Sequence, residues 1–183
     1  MQKNSVLMVG LCVGIAVMAI AYAAFSTTLN ITATSTQIGS FSMQLIAESG
    51  SVTGTAGLTG GTAPTATCTN TSGATTGTMT ANLYQPGDSV TCSFKVKNTG
   101  NLKAKAGGNI SCSVGNGMTT SASSSASTPM WYSTTWKKTA LAANTTSDAG
   151  EVTITIKYSA NITSQPSKTT GTVTCTLPYT QDI

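Results

Sequence analysis

The sequence predicts an all-β protein, an antiparallel β-sandwich preceded by an N-terminal apolar segment. Short stretches alternate apolar and polar residues with the period of a half-buried strand, and turn residues separate them. The composition is rich in Ser, Thr, Gly and Ala, and only 8% of residues are charged. Thr favours strands, Ser and Gly favour turns, and long exposed helices need more charged residues. About seven short strands with turns between them suit a sandwich.

The clearest predicted strand runs from Val90 to Val96, where apolar and polar residues alternate strictly. Before it stands a turn formed by Pro86, Gly87 and Asp88. Proline fixes φ at the second position of a type II turn and glycine accepts positive φ at the third. Further strand patterns follow, and their predicted inward residues are Phe41, Met43, Leu45 and Ala47; Leu102, Ala104 and Ala106; Ile110, Cys112 and Val114; Val152, Ile154, Ile156 and Tyr158; and Val173, Cys175 and Leu177.

Two stretches lack a clear strand pattern. Ser49–Gly77 is rich in Gly, Thr and Ala, and Gly115–Pro129 is rich in Ser. We expect both to be loops or mobile insertions. The predicted sandwich domain therefore occupies residues 37–183 and includes two irregular regions.

The N-terminal segment has the features of an export signal. Residues 6–25 contain no charge, and Lys3 lies just before them. A segment of this length can span a bilayer, and it also fits a signal peptide. Ala21-Tyr22-Ala23 is an A-x-A site, so we expect signal peptidase to cleave between Ala23 and Ala24. Residues 1–23 are predicted to be a signal peptide, with a retained membrane anchor through residues 6–25 as the alternative.

Residues 24–36 are predicted to form an N-terminal strand, residues 24–33, and a linker. Phe25, Leu29 and Ile31 fall on one face, and polar residues fall on the other. One interpretation is an edge strand of the chain's own sandwich. The other is a strand donated to a neighbouring subunit, in which backbone hydrogen bonds give affinity and the three apolar side chains fill pockets.

Four cysteines follow the export segment: Cys68, Cys92, Cys112 and Cys175. An even number in an exported domain predicts two disulfides, with three possible pairings. Zinc binding is the alternative, but the spacings are wide, no CxxC motif occurs and the chain contains no histidine. Each disulfide would stabilise the fold by about 3–4 kcal/mol.

Neither the charge pattern nor the acidic residues point to nucleic-acid binding or catalysis. The net charge is +4, but the lysines are scattered, whereas nucleic-acid binders concentrate basic residues on one face. Without histidine there is no HExxH motif and no Ser-His-Asp triad. Asp88 belongs to its turn, and Asp148 with Glu151 suit a solvated turn or a weak calcium site. We expect no enzyme activity and no cofactor.

The only aromatic cluster is Trp131, Tyr132 and Trp136. Neighbouring aromatic side chains can bind sugars or form the centre of an interface. They are also ordinary core residues, and we expect core packing, with Trp136 the better candidate for the surface because two lysines follow it.

Three segments together resemble the TasA/camelysin family of secreted bacterial proteins. They are YAAFSTTLNI after the apolar segment, the turn Pro86-Gly87-Asp88, and the strand ending in Asn98-Thr99-Gly100. The resemblance covers about a third of the chain, and the family pattern does not account for the four cysteines. It implies a jelly-roll or Ig-like sandwich and extracellular fibres of biofilm matrix, whose subunits donate the mature N-terminal strand.

The predicted function is therefore an exported structural protein at the cell surface or outside the cell, which associates with itself into fibres. The alternative is a membrane-anchored, monomeric adhesin or binding module. A pilin-like subunit that keeps its N-terminal helix is a third interpretation, but the glutamate usual just inside a pilin helix is missing.

Overall fold

A computed structural model describes residues 39–48, 53–115, 118–120, 128–162 and 169–182. The chain divides into two units, Met1–Gln37 and Ile38–Ile183, and every described residue belongs to the second. The predicted signal peptide, its cleavage site at Ala23 and Ala24, and the strand carrying Phe25, Leu29 and Ile31 lie outside the described residues.

The described residues form twelve strands and no helix. The all-β class predicted from the sequence is thereby confirmed for this part of the chain, in which no helix has the length and apolarity needed to cross a bilayer. The strands are β1 (Met43–Ala47), β2 (Thr53–Thr55), β3 (Thr65–Asn70), β4 (Thr76–Leu83), β5 (Ser89–Asn98), β6 (Ala104–Ala106), β7 (Ser111–Val114), β8 (Met118–Thr119), β9 (Met130–Trp136), β10 (Val152–Tyr158), β11 (Thr169–Thr176) and β12 (Tyr179–Gln181).

The strands form two large sheets and one small one. Sheet A has the order β1-β5-β10-β9-β8, with β2 also paired to β5, and sheet B has the order β3-β4-β11-β7. The small sheet C pairs β12 with β6. All pairs are antiparallel except the short pair β8–β9, which is parallel. The sequence had predicted antiparallel pairing throughout.

Sheets A and B enclose one hydrophobic core. The central strands β5 and β10 bury every second residue, as their alternation predicts: Val90, Cys92, Phe94, Val96, Val152, Ile154 and Ile156 have no exposed surface. Sheet B packs directly against these side chains. A Cβ atom added to Gly77 of β4 would lie 2.5 Å from Leu45 Cδ2 and 3.0 Å from Phe94 Cε1, so a larger residue there would force the Leu45 side chain to move.

The turn before β5 has the predicted geometry. Gly87 has a φ of 87°, and the amide of Asp88 donates to the carbonyl of Gln85 over 3.1 Å. Positive φ at the third position is the mark of a type II turn, which explains the glycine. At the other end of β5, Asn98 is fully buried, its side-chain amide donates to the carbonyl oxygens of Leu102 and Ala142, and its carbonyl oxygen accepts from the Gly100 amide.

Two sequence-based predictions fail in detail. Ser49–Gly77 is not a loop, since it contains β2, β3 and the first residues of β4. In Gly115–Pro129, the described part includes the short strand β8. The first stretch was misjudged because β2 and β3 alternate Thr with Gly, Ala or Cys, which gives a faint hydrophobic signal although Thr favours strands. In the second, β8 has only two residues, too few for a periodic pattern.

Candidate functional site

Two of the acidic residues that the sequence singled out, Asp88 and Glu151, have structural partners. Asp88 is fully buried, and its carboxylate accepts from three backbone amides: Gly57 at 2.8 Å, Tyr84 at 2.7 Å and Gln85 at 3.0 Å. These bonds tie the turn before β5 to the segment after β2. Asp88 therefore stabilises this turn, which agrees with the structural role predicted for it.

Asp148 and Glu151, the pair considered for calcium, lie in different environments. Asp148 is exposed, whereas Glu151 is almost completely buried, so the solvated turn expected for the pair describes Asp148 only. The two carboxylate oxygens of Glu151 accept from the amide and the hydroxyl of Thr139 at 2.9 and 2.6 Å. Within the described ranges, no three His, Cys, Asp or Glu side chains come together in a way that suits a metal ion.

The four cysteines form two disulfides of different kinds. Cys68 on β3 is bonded to Cys92 on β5, so this bridge joins sheet B to sheet A. Cys112 on β7 is bonded to Cys175, its directly opposite neighbour on β11, so this bridge lies within sheet B. Structural disulfides such as these two are typical of oxidising compartments. The sequence left the pairing open because spacing alone does not determine it.

The aromatic cluster is divided between the two faces of sheet A. Trp131 lies on the outer face, with the Lys157 ammonium 4.9 Å from its ring centroid. Tyr132 and Trp136 point inward and are half-buried against the core. Trp136 also meets Tyr179 of β12 edge to face, with ring centroids 5.3 Å apart. Core packing, the expectation for these aromatics, therefore describes Tyr132 and Trp136 but not Trp131. The choice of Trp136 as the surface candidate was wrong, since Trp131 is the one that faces outward.

Tyr179, which the sequence gave no reason to single out, connects sheet C to β9. Its hydroxyl accepts from the Trp136 indole and donates to the Thr139 carbonyl, both over 3.3 Å. Burial raises the pKa of Tyr179 to about 12; the indole hydrogen bond opposes this rise and the nearby charge of Glu151 adds to it. The phenol therefore stays neutral at physiological pH.

One side of the sandwich is incompletely covered. On β9, the outermost long strand of sheet A, the inward residues Tyr132, Thr134 and Trp136 are only half-buried. Their opposite neighbours on β10, Ile156, Ile154 and Val152, have no exposed surface. In the part of the chain that the structure describes, β8 pairs only with Met130 and Trp131, and no strand pairs with the rest of this edge.

Sheet B is open on the same side. There β7 is the outermost strand, and its inward residues Cys112 and Val114 lie opposite the fully buried Cys175 and Val173. Cys112 is half-buried and Val114 is 39% exposed. We call these inward residues of β7 and β9 the open side: Cys112, Val114, Tyr132, Thr134 and Trp136. It presents apolar surface at two sheet edges that lack a neighbouring strand among the described residues.

Backbone polarity gives the β9 edge a second property. The Lys137 amide donates to the Glu151 carbonyl, so these two opposite residues form a hydrogen-bonded pair. In an antiparallel ladder such pairs alternate with non-bonded ones, so residues 135, 133 and 131 also form hydrogen-bonded pairs with β10. The backbone groups of Tyr132, Thr134 and Trp136 therefore face away from β10. An added strand would find hydrogen-bonding groups and an apolar inner surface at the same three residues.

The opposite side of the sandwich is closed by hydrogen bonds. There β1 is the outer strand of sheet A, and the Leu45 amide donates to the Ala74 carbonyl at the turn between β3 and β4. The Ala47 amide donates to the side chain of Asn70. These bonds join the two sheets along β1. On the open side, the Lys138 ammonium donates to the side chain of Asn109 at 2.9 Å, beyond the ends of β9 and β7.

A recess of about 520 Å³ lies at one end of the sandwich. Its apolar walls come from Phe41, Met43, Leu177, Pro178 and Tyr179, and the segment 73–76 completes it. Phe41 is 40% exposed. Apolar recesses of this size can hold small ligands.

The outer faces of the two sheets differ in chemistry. Sheet A carries Lys95, Lys97 and Lys157 on its outer face. Sheet B carries a set of outward residues that we call the threonine face: Thr65, Thr67 and Thr69 of β3, Thr76, Thr78, Thr80 and Asn82 of β4, Thr170, Thr172, Thr174 and Thr176 of β11, and Ser111 and Ser113 of β7. The sequence signal for it is the repeated T-x-T alternation, part of which falls in a stretch predicted to be a loop.

Comparisons with protein-family models, with curated proteins and with solved structures find no match for this chain.

Proposed function

We propose that the protein is an exported structural subunit that assembles outside the cell into a fibre or matrix by donating the strand of residues 24–33 to the next subunit. The observation that carries this proposal is the open side, where apolar inner surface coincides with a strand edge that no described strand covers. Strand addition at an exposed edge is an established mode of recognition, in which backbone bonds give affinity and alternate side chains give specificity.

The predicted donor strand matches what the open side lacks. Phe25, Leu29 and Ile31 alternate with polar residues, so a strand paired with β9 would turn them toward Tyr132 and Trp136. Its polar residues would continue the outer face of sheet A. The cystine bridges suit an oxidising, extracellular place of assembly. A jelly-roll or Ig-like sandwich and the TasA/camelysin resemblance agree with this function and are part of the proposal.

An edge proline tests the acceptor. Thr134→Pro removes an amide that faces away from β10, so it blocks strand addition without removing a bond between β9 and β10. We expect at least a tenfold loss of fibre mass by sedimentation and electron microscopy of the purified exported protein. The matched control is Ala66→Pro on β3, an edge residue of sheet B whose amide also faces away from its neighbour strand. Equal loss in both variants, or in neither, contradicts the proposed acceptor.

Paired lysines test the donor in the same assay. Leu29→Lys with Ile31→Lys places charges on the apolar face of residues 24–33, whereas Thr28→Lys with Asn30→Lys places the same charges on the polar face. We expect only the first pair to abolish fibres. A mature N-terminus at Ala24 is also required, and N-terminal sequencing decides this directly.

A monomeric surface-binding module is the second candidate function. The recess lined by Phe41 and Tyr179 favours it, because this recess is concave and apolar. An exported protein that stays monomeric at all concentrations, with its apolar segment retained, supports this alternative.

A further inference from the structure

We infer that the threonine face is a second contact surface, through which a like face of another copy of this chain packs and holds neighbouring fibres side by side. This inference rests on the proposed function for its setting. Its contact surface, however, lies on sheet B and shares no residue with the β9 edge of sheet A.

The threonine face is a regular two-dimensional array. Strand pairing places its residues in four rows across the sheet: Thr65, Asn82 and Thr170; Thr67, Thr80 and Thr172; Thr69, Thr78, Thr174 and Ser113; and Thr76, Thr176 and Ser111. Every member carries a hydroxyl or an amide. The strands β3, β4, β7 and β11 contain no charged residue at all.

Most hydroxyls of this face already have partners within the sheet. Thr76 and Thr176 hydrogen-bond through their hydroxyls over 3.0 Å, as do Thr78 and Thr174, and the Thr170 hydroxyl donates to Asn82 over 2.9 Å. Burying a hydroxyl is costly mainly when it loses water without gaining a partner. These cross-strand bonds lower that cost, and the threonine methyl groups then contribute apolar contact.

Charge decides which faces of two copies can meet. The protein has a net charge of +4. The outer face of sheet A carries three lysines, with Glu48 3.8 Å from Lys95 as the nearby acid. Two such faces would bring like charges together as water leaves, which is unfavourable. The threonine face carries no charge, so two copies meet there without this repulsion.

The area of the face determines when the contact matters. With strands about 4.8 Å apart and alternate residues about 6.8 Å apart, the array measures roughly 20 by 20 Å, or about 400 Å². That is about half of the roughly 800 Å² per partner in a stable interface. A single pair of faces is therefore weak, whereas subunits repeated along a fibre present many faces at once and gain avidity.

Two matched lysine pairs test the inference on the full exported protein. Thr78→Lys with Thr174→Lys replaces one hydrogen-bonded pair on the threonine face. Thr91→Lys with Thr155→Lys replaces a pair on the outer face of sheet A, whose hydroxyls are 2.8 Å apart. Electron microscopy should show single fibres of normal length for the first pair, with at least tenfold fewer bundles, and unchanged bundles for the second. Thr67→Lys, an exposed single change, repeats the test with less risk to folding.

The outcomes separate the two proposals. Normal bundling in the threonine-face variants, or equal loss in the sheet A control, overturns the side-by-side contact and leaves strand donation standing. If the wild-type protein forms no fibres, strand donation is wrong. Sedimentation at high concentration then measures whether the protein still self-associates through the threonine face. Weak self-association that only the threonine-face variants lose supports it, and identical sedimentation overturns it. Loss of association on raising the salt concentration also contradicts it, because that result indicates a contact made by the lysines.

Discussion

Sheets A and B share one core but are stabilised by different chemistry. Sheet A and the turns at its ends use buried acids, since Asp88 binds three amides and Glu151 binds Thr139. Sheet B has no charged residue in its strands; it uses the bridge between Cys112 and Cys175 and hydroxyl pairs, which sheet A also contains. The strands of sheet B thus carry no charge, as the proposed contact with a like surface requires.

The largest expected effect concerns the disulfides. Chain entropy predicts that removing Cys112–Cys175, with a separation of 63 residues, costs about 4 kcal/mol, and that removing Cys68–Cys92, with a separation of 24, costs about 3.5 kcal/mol. Urea unfolding of the two Cys→Ala pair variants measures both. If the Cys68–Cys92 variant is clearly the less stable, the link between sheets A and B matters beyond loop length, and sheet B does not depend chiefly on its internal bridge.

The next largest effect concerns the buried acid at the turn before β5. Asp88→Ala leaves three backbone amides without their acceptor, and we expect a loss of about 3 kcal/mol in the free energy of unfolding. Asp88→Asn keeps one acceptor oxygen and should lose less. The control is Asp148→Ala, an exposed acid whose loss should cost less than about 0.5 kcal/mol. Equal effects for Asp88 and Asp148 contradict the role assigned to buried acids.

A smaller effect is confined to alkaline pH. The pKa of Tyr179 rises to about 12 in the folded protein, chiefly through burial, and it is about 10 in an unfolded chain. Between these values the unfolded state has lost the phenolic proton and the folded state keeps it. The unfolded state then binds fewer protons, so the free energy of unfolding falls as the pH rises from 10 to 12.

Comparison with Tyr179→Phe isolates this contribution. The variant has no phenol to ionise, so its stability should fall less steeply over this range. Below pH 10 the difference between the two proteins should not change with pH. Parallel curves from pH 10 to 12 contradict the assigned burial of the phenol.

The sequence predicts the strands with strong side-chain contrast and misses the weak ones. Large apolar residues alternate with polar ones in Val90–Val96 and Val152–Tyr158, so the inward residues of these strands were predicted correctly. Thr65–Asn70 alternates Thr with Ala and Cys, and this low contrast caused its assignment to a loop. Leu102–Ala106 was expected to be an ordinary strand. The structure instead contains only the short β6, paired with β12 in sheet C.

Sequence patterns could not predict the open side. The sequence marks Tyr132 and Trp136 as aromatic, and alternation can assign their face. Their half-burial arises because β9 lies near the edge of sheet A, and strand order depends on long-range pairing. The disulfide pairing likewise follows from strand order, since Cys112 and Cys175 meet only because β7 and β11 are neighbours.

The two disulfides enclose successive segments of the chain, the first closing at Cys92 and the second opening at Cys112. A protease that cuts inside either segment leaves a single covalent molecule on a non-reducing gel. A cut between them, for example at exposed Lys103 or Lys105, releases two fragments as soon as the protein is denatured. The stretch from Ser93 to Ser111 is therefore the one place within the disulfide-bonded region where proteolysis can divide this protein permanently.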